Sequence, residues 1–254
     1  MITKSKIKLI KSLQVKKNRD AESVFFVEGV KAVNEVLEQK PELIEELFAT
    51  AEFIEQNAFL LNNTGVAFSE ISEKELIQIS SQSTPNKVLA VCRYFKKTDI
   101  KFDFEKSFSL YLDDIRDPGN FGTIIRLADW FGISNIFCSN SSCDIYNPKV
   151  IQATMGAFLR VNVNYIDLKS LIQQNKINYV YGALLDGKNI YSEKLVNGLI
   201  VIGNEAYGIS TENMNLINRA ITIPGSKNHK SESLNAAMAA SIITAEFFRQ
   251  VSSS

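Results

Sequence analysis

Short apolar runs alternate with stretches of helical periodicity along almost the whole chain, and no single residue limits the fold as much as this alternation does. Val24-Phe25-Phe26-Val27 leads through Glu28-Gly29 into a helical pattern with Val30, Val33, Val36 and Leu37 on one face. Strand-like character then returns at 44–49, 66–68 and 87–94, separated by helical patterns at 52–61 and 73–79. This is the pattern of a small α/β domain. Between 95 and 107 the apolar pattern fades and Lys96, Lys97, Asp99, Lys101, Asp103, Glu105 and Lys106 take over. The division expected is a first domain over 1–95, a linker over 96–106 and a second domain over 107–254.

In the second part, 108–112 reads as a buried strand, 123–131 as a helix and 135–138 as a strand. A helix opens at Pro148 and runs to 158, in keeping with proline in a first turn. Strand patterns at 160–166, 179–185, 199–203 and 220–223 alternate with helical ones at 168–174, from 210 or 211, and over 233–251. Strands separated by helices predict a mostly parallel sheet covered on both faces.

Composition excludes several classes. Lys and Arg total 28 against 28 Asp and Glu, so net charge by itself does not mark a nucleic-acid partner. No apolar run approaches the ~18 residues of a membrane span, and no apolar segment follows the basic start as in a signal peptide, so a soluble, cytoplasmic protein is expected. Cys92, Cys138 and Cys143 lack any C-x-x-C spacing and the chain has 1 His, so neither a disulfide framework nor a metal site is expected. Charge is nonetheless uneven. Lys4, Lys6, Lys8, Lys11, Lys16, Lys17 and Arg19 precede the first acid, Asp20. They read either as a solvated, frayed terminus or as an arm facing phosphates.

In parallel α/β sheets ligands bind where loops leave the carboxyl ends of strands. Three such loops stand out. Asp113-Asp114-Ile115-Arg116-Asp117-Pro118-Gly119-Asn120-Phe121-Gly122 reads as a tight Pro-Gly turn ahead of a helix carrying Arg126 among Ile124, Ile125, Leu127 and Ala128. That arginine either reaches solvent, where Asp129 is a candidate partner, or points into a polar site. Gly203-Asn204-Glu205-Ala206-Tyr207-Gly208 places a carboxylate between glycines after the strand 199–202. Ile223-Pro224 leads through a polar stretch containing Lys227, His229 and Lys230 to Ser233-Leu234-Asn235, where Ser or Asn suits a helix N-cap. His229 sits in a lysine-flanked loop and is read as a solvent-exposed imidazole.

The order and spacing of these loops resemble the SpoU (TrmH-like) branch of the SPOUT RNA 2′-O-ribose methyltransferases. Asp117-Pro118-Gly119-Asn120 with Gly122 and Arg126 match its first motif, Gly203-Asn204-Glu205 with Gly208 its second, and Ile223-Pro224 with Ser233-Leu234-Asn235 its third. Asn147-Pro148-Lys149-Val150 and Ala153-Thr154-Met155-Gly156-Ala157 are similar to the intervening helix. Phe25 to Val33 and Thr84-Pro85 to Ala90-Val91 look like the small substrate-binding domain that precedes many members. The third motif departs from the family pattern by its extra polar residues.

The resemblance implies an α/β fold with a trefoil-knotted SPOUT domain on a parallel sheet, preceded by the small α/β substrate-binding domain. It implies transfer of a methyl group from S-adenosyl-L-methionine to a ribose 2′-hydroxyl of RNA, ribosomal RNA in preference to transfer RNA, without a metal or a membrane. By resemblance, Gly203, Asn204, Glu205, Ile223 and Leu234 meet the cofactor, and Asn120, Arg126, Glu205, Ser233 and Asn235 surround the reacting centre. A guanidinium is a poor base in water, so Arg126 is expected chiefly to grip phosphate and stabilise a developing alkoxide. A homodimer is expected, with Ala236, Ala237, Ala239 and Ala240 offering a small-residue face. The competing expectation is a non-catalytic RNA-binding or ribosome-assembly protein on the same scaffold.

Overall fold

The computed structural model describes residues 2–96, 102–226, 228 and 230–251. Lys227, His229 and part of the expected linker lie outside the described residues. Along the chain, α1 (Lys4–Ser12) and α2 (Lys16–Glu22) precede β1 (Val24–Glu28), α3 (Val30–Gln39), β2 (Ile44–Ala49), α4 (Ala51–Gln56) and α5 (Ala58–Thr64). β3 (Phe68–Glu70), α6 (Glu73–Ile79), β4 (Val88–Arg93), β5 (Ser109–Leu112), α7 (Pro118–Trp130), β6 (Asn135–Cys138) and α8 (Pro148–Thr154) follow. The chain continues through β7 (Asn162–Tyr165), α9 (Leu168–Asn175), β8 (Val180–Asn189), β9 (Leu199–Ile202), α10 (Thr211–Met214), β10 (Arg219–Thr222) and α11 (Ala236–Val251). It forms two compact units. One takes the chain through β4 together with Asp144–Leu159, and the other takes the rest.

The first unit is built on a sheet of order β1-β4-β2-β3, antiparallel except for the parallel β2–β3 pair. β1 is apolar on both faces, so both must be covered. Val24 and Phe26 join Ile10, Leu13, Phe48, Leu76, Ile79, Leu89 and Val91 in one core. On the other face Phe25 meets Tyr146 at 4.8 Å and the edge of Phe158 at 6.1 Å, while Tyr94 stacks on Tyr146 at 3.8 Å. These rings hold the 144–159 segment in the unit. Each fully buried aromatic contributes about 1.5–3 kcal/mol of transfer free energy.

The basic start is neither frayed nor wholly free. Thr3 caps α1 by accepting from the Lys6 amide, and Ile10 and Leu13 are fully buried. Arg19 is 2% exposed; it donates to Asp144 Oδ2 at 2.6 Å and to the Leu13 and Gln14 carbonyls at 2.7 and 3.0 Å. A buried guanidinium needs such partners, so Arg19 is removed from any phosphate-facing role.

α1 is tied to α6 by Glu75, which closes a capping box with Ser72 and accepts from the Ile2 amide at 3.0 Å. These donors pull its carboxyl from 4.5 down to about 2. A depressed carboxylate stabilises the fold above its unfolded pKa and loses that contribution as pH falls. The thermal midpoint should therefore fall between about pH 4.5 and 2 more steeply in the native chain than in Glu75→Gln, and superimposable calorimetric profiles would contradict this.

Residues 148–158 do not form one helix. α8 ends at Thr154, Met155 takes a left-handed φ of 51° and Gly156 one of 93°, and a 3-10 turn follows over Ala157–Leu159. The φ of Gly156 is one that residues with a side chain rarely adopt, so the break sits where glycine is favoured.

The second unit carries a six-stranded sheet of order β10-β8-β9-β5-β6-β7, parallel throughout. Every residue of β5, β6 and β9 is buried, as strands covered on both faces require. α11 packs on α7 and β9. Its Ala236, Ala237 and Ala240 are 3%, 6% and 0% exposed. The small-residue face expected to serve a dimer is thus used largely inside the chain, where alanine lets two helix backbones approach.

Candidate functional site

All six strands of the second sheet run the same way, so the loops after β5, β9 and β10 leave from one edge. The loop after β5 differs from the turn expected. Asp117 is a helix N-cap whose Oδ1 accepts from the Asn120 amide at 2.7 Å, and Pro118 opens α7 where its missing N–H costs nothing. Pro118-Gly119-Asn120 is therefore the first helical turn.

That placement aims Asn120 at the second loop. Its Nδ2 donates to Glu205 Oε1 at 2.7 Å, across 85 residues of sequence. Asn204 makes a second tie, donating to the Asp114 carbonyl at 2.8 Å. Its Oδ1 accepts from the Ala206 and Tyr207 amides at 2.8 and 3.2 Å, and paired backbone bonds of 2.9 Å to Gly208 close the turn. Gly203 has no room for a side chain, because a β-carbon there would lie 2.3 Å from the Gly208 carbonyl carbon and the Ile209 nitrogen.

Two residues outside the expected set fix this pair of loops. Asp113 is 3% exposed and its Oδ2 accepts from the Ser210 amide at 2.8 Å, while its own amide donates to the Ile202 carbonyl at 2.8 Å. A carboxylate at the end of an apolar strand was its visible signal. Asp114 adopts a left-handed φ of 59° and pairs with Arg116 at 2.9 Å; nothing in its neighbours announces that conformation.

Arg126 is exposed on α7, about 9 Å along the axis from Asn120 at 1.5 Å per residue. The solvent pairing with Asp129 does not form. Arg160 occupies that carboxylate with bonds of 2.8–3.0 Å. Among the described residues no carboxylate pairs with Arg126, which is an exposed cation about 120° around α7 from Asn120.

The third loop is brought to the same end of the unit by helix packing. Phe248 near the end of α11 meets Phe131 at the end of α7, with ring centroids 5.2 Å apart. Phe247 lies against Phe108, just before β5 begins. With their carboxyl ends together, α7 and α11 run side by side, and Asn120 and Asn235 lie about 17 and 20 Å back along them. Asn235 caps α11 by accepting from the Met238 amide at 2.7 Å. Ser233 is exposed, Leu234 is 40% exposed and Ile223 is partly buried. Among the described residues no hydrogen bond joins them to the Asn120–Glu205 pair. The extra polar residues described here, including Ser226, Asn228 and Lys230, are exposed.

The arrangement offers a backbone-lined turn at Gly203–Gly208 with the Asn120 amide on the Glu205 carboxylate, apolar groups accessible at Leu234 and Ile223, and an exposed cation, Arg126, further along α7. An uncharged heterocycle with polar appendages and a neighbouring anionic ligand suit such an edge.

Residues 107–245 match the model of the SpoU rRNA Methylase family, and residues 4–90 match the MRM3-like substrate binding domain. The chain is 27% identical over 242 residues to the 23S rRNA (guanosine(2553)-2′-O)-methyltransferase RlmP of Bacillus subtilis, covering 94% of each. A TrmH-family structure from Porphyromonas gingivalis superimposes with a TM-score of 0.82 at 34% identity over 98% of this chain and 99% of that one. The AdoMet-bound rRNA methyltransferase from Sinorhizobium meliloti superimposes with a TM-score of 0.84 at 28% identity, covering 98% and 96%.

Proposed function

The chain belongs to the SpoU rRNA methylase family, and we propose that it transfers a methyl group from S-adenosyl-L-methionine to a ribose 2′-hydroxyl of ribosomal RNA. The observation that carries this is the 2.7 Å bond from Asn120 to Glu205, which joins the first and second motifs at the carboxyl edge of a parallel sheet. The relatives matched over most of this chain are named as ribosomal RNA methyltransferases, which favours catalysis over a purely assembly role.

The site suits the cofactor. Gly203, Asn204 and Glu205 present a turn with no side chain at its first residue, and Ile223 and Leu234 supply apolar contact for an adenosyl group. S-adenosyl-L-methionine supplies an electrophilic sulfonium methyl. The protein's part is therefore alignment more than activation, and a well-oriented pair of reactants is worth about 7–11 kcal/mol of barrier. Arg126 grips the phosphate beside the target ribose and stabilises negative charge developing on the hydroxyl oxygen. Glu205 holds the Asn120 amide in one orientation, and Ser233 and Asn235 provide polar contacts at the mouth.

In this reading residues 1–95 select the RNA and residues 107–254 perform the transfer, with 96–106 as the linker. The trefoil threading belongs to the proposal as well; α11 returns to pack on α7 and β9, elements from earlier in the same unit. The cytoplasm, where a bacterial cell keeps its ribosomal RNA, is the proposed location.

The test is transfer of labelled methyl from S-adenosyl-L-methionine to 23S ribosomal RNA, with 2′-O-methyl nucleotides identified after digestion. Label on RNA as a 2′-O-methyl nucleoside is expected. Absence of label together with absence of cofactor binding by calorimetry would overturn the proposal.

The functional form proposed is a homodimer. Its support is the exposed apolar side chains at the carboxyl ends of α7 and α11, where Trp130 is 84% exposed and Phe248, 41% exposed, lies against Phe131. Patches of this kind mark association surfaces when they are contiguous. Light scattering at micromolar concentration should give a dimer, and Trp130→Glu should give a monomer; a dimer unaffected by that charge would place the interface elsewhere.

A further inference from the structure

We propose that the outer face of α1 is a phosphate-binding surface for RNA, formed by Lys4, Lys8 and Lys11. The inference rests on RNA being the substrate and adds where on the first unit its backbone lies.

At about 100° per residue, Lys4, Lys8 and Lys11 fall within about 60° of one another around α1 and rise about 10 Å along it. All three are exposed. Ile10 and Leu13 point the other way into the core. The contrast with the neighbouring basic residues decides the assignment. Lys6, which is partly buried, pairs with Glu46, Lys16 pairs with Asp20, and Arg19 is buried against Asp144, while Lys17 is exposed and unpaired but lies on α2, off this face. No described carboxylate lies within ion-pair distance of Lys4, Lys8 or Lys11, and the first turn of α1 carries no acid.

Local helix energetics oppose this pattern. Like charges four residues apart repel, as Lys4 and Lys8 do, and a cation in the first turn faces the positive end of the helix dipole. Lys11, in the last turn, meets the favourable end of the dipole, but the fold gains nothing from the charges of Lys4 and Lys8, whose use lies in a ligand of opposite sign. The face carries no aromatic anchor, and lysine is depleted from protein–protein interfaces, which disfavours an acidic protein partner. Three point charges in a row suit successive backbone phosphates, to which Lys binds as a point charge.

The experiment measures binding of the full chain to a fluorescent transcript of 23S ribosomal RNA between 50 and 200 mM KCl, for the native protein and Lys4→Gln/Lys8→Gln/Lys11→Gln. Each phosphate contact contributes about 0.7–0.9 to the slope of log affinity against log salt, so the triple variant should lose about 2 to 3 from that slope. Equivalently, the affinity lost between those salt concentrations should shrink by roughly 20- to 40-fold. Cofactor affinity by calorimetry and helix content by circular dichroism should not change, and Lys8→Gln alone should lower the slope by just under about 1. A charge-matched control, Lys31→Gln/Lys74→Gln/Lys149→Gln, should keep the native slope.

An unchanged slope in the triple variant overturns the proposal and leaves the face to an acidic protein. An equal loss in the control overturns it too, because net charge alone would then explain binding. A native protein that binds the transcript with the expected slope but transfers no methyl refutes the enzymatic reading and leaves the surface standing. A methylating protein whose triple variant keeps the native salt slope refutes only the surface.

Discussion

Arg126→Ala is expected to reduce methyl transfer to 23S ribosomal RNA by about 100- to 1000-fold while S-adenosyl-L-methionine binds as before. The structure makes this a clean test. Arg126 is exposed, and Asp129, its nearest sequence candidate, is held by Arg160 at 2.8–3.0 Å, so truncation leaves no buried group unpaired. The thermal midpoint should consequently stay within a degree or two, as for ordinary surface substitutions. Arg126→Lys separates the two roles assigned to the guanidinium. A lysine keeps the charge but not the planar fork, so it should recover affinity for RNA more than it recovers the rate. Single-turnover transfer at saturating RNA reads that difference directly. If Arg126→Ala keeps more than about one-tenth of the native rate, stabilisation at the reacting oxygen comes from another donor.

Most strands and helices were legible because they depend on local periodicity. β2 and β6 coincide with the runs 44–49 and 135–138, and β5 and β9 could be read as buried strands because both their faces are apolar. The start of α7 was not legible in that way. Pro-Gly-Asn fits a turn equally well, and only the Asp117 side chain, accepting from the Asn120 amide, converts it into a helical turn. The fate of Arg19 depends on Asp144, 125 residues away, and that of Ala236, Ala237 and Ala240 on which helix α11 meets. Periodicity reports which face is apolar and says nothing about its partner. The same holds at the site. The three loops were visible from their glycines and polar residues, but the Asn120–Glu205 bond and the bracing by Asp113 depend on strand order, with β9 placed beside β5. Resemblance to known motifs supplied the grouping that local pattern could not.

Gly203→Ala tests that grouping from the cofactor side and should lower affinity for S-adenosyl-L-methionine by about 100-fold or more, roughly 2.7 kcal/mol. Gly203 follows β9 where the Asn204–Gly208 turn folds back over it, and the added methyl would sit 2.3 Å from the Gly208 carbonyl carbon and the Ile209 nitrogen and 2.6 Å from the Gly208 oxygen. These are backbone atoms, so no side-chain rotation relieves the overlap. Retreat of the turn is also blocked from behind, because Ile209 is 5% exposed and the Ser210 amide is held by Asp113 at 2.8 Å. The turn must shift outward at an overpacking cost of about 1–3 kcal/mol, carrying Glu205 away from Asn120. Gly208→Ala is the informative comparison. Nothing lies within 4 Å of a β-carbon there, and the penalty is confined to its left-handed φ of 69°, roughly 1 kcal/mol. The expected order is therefore a large loss of binding at Gly203 and a small one at Gly208, read by calorimetric titration. Equal losses would mean that turn flexibility matters and close approach does not, and native affinity in Gly203→Ala would remove this turn from the cofactor site.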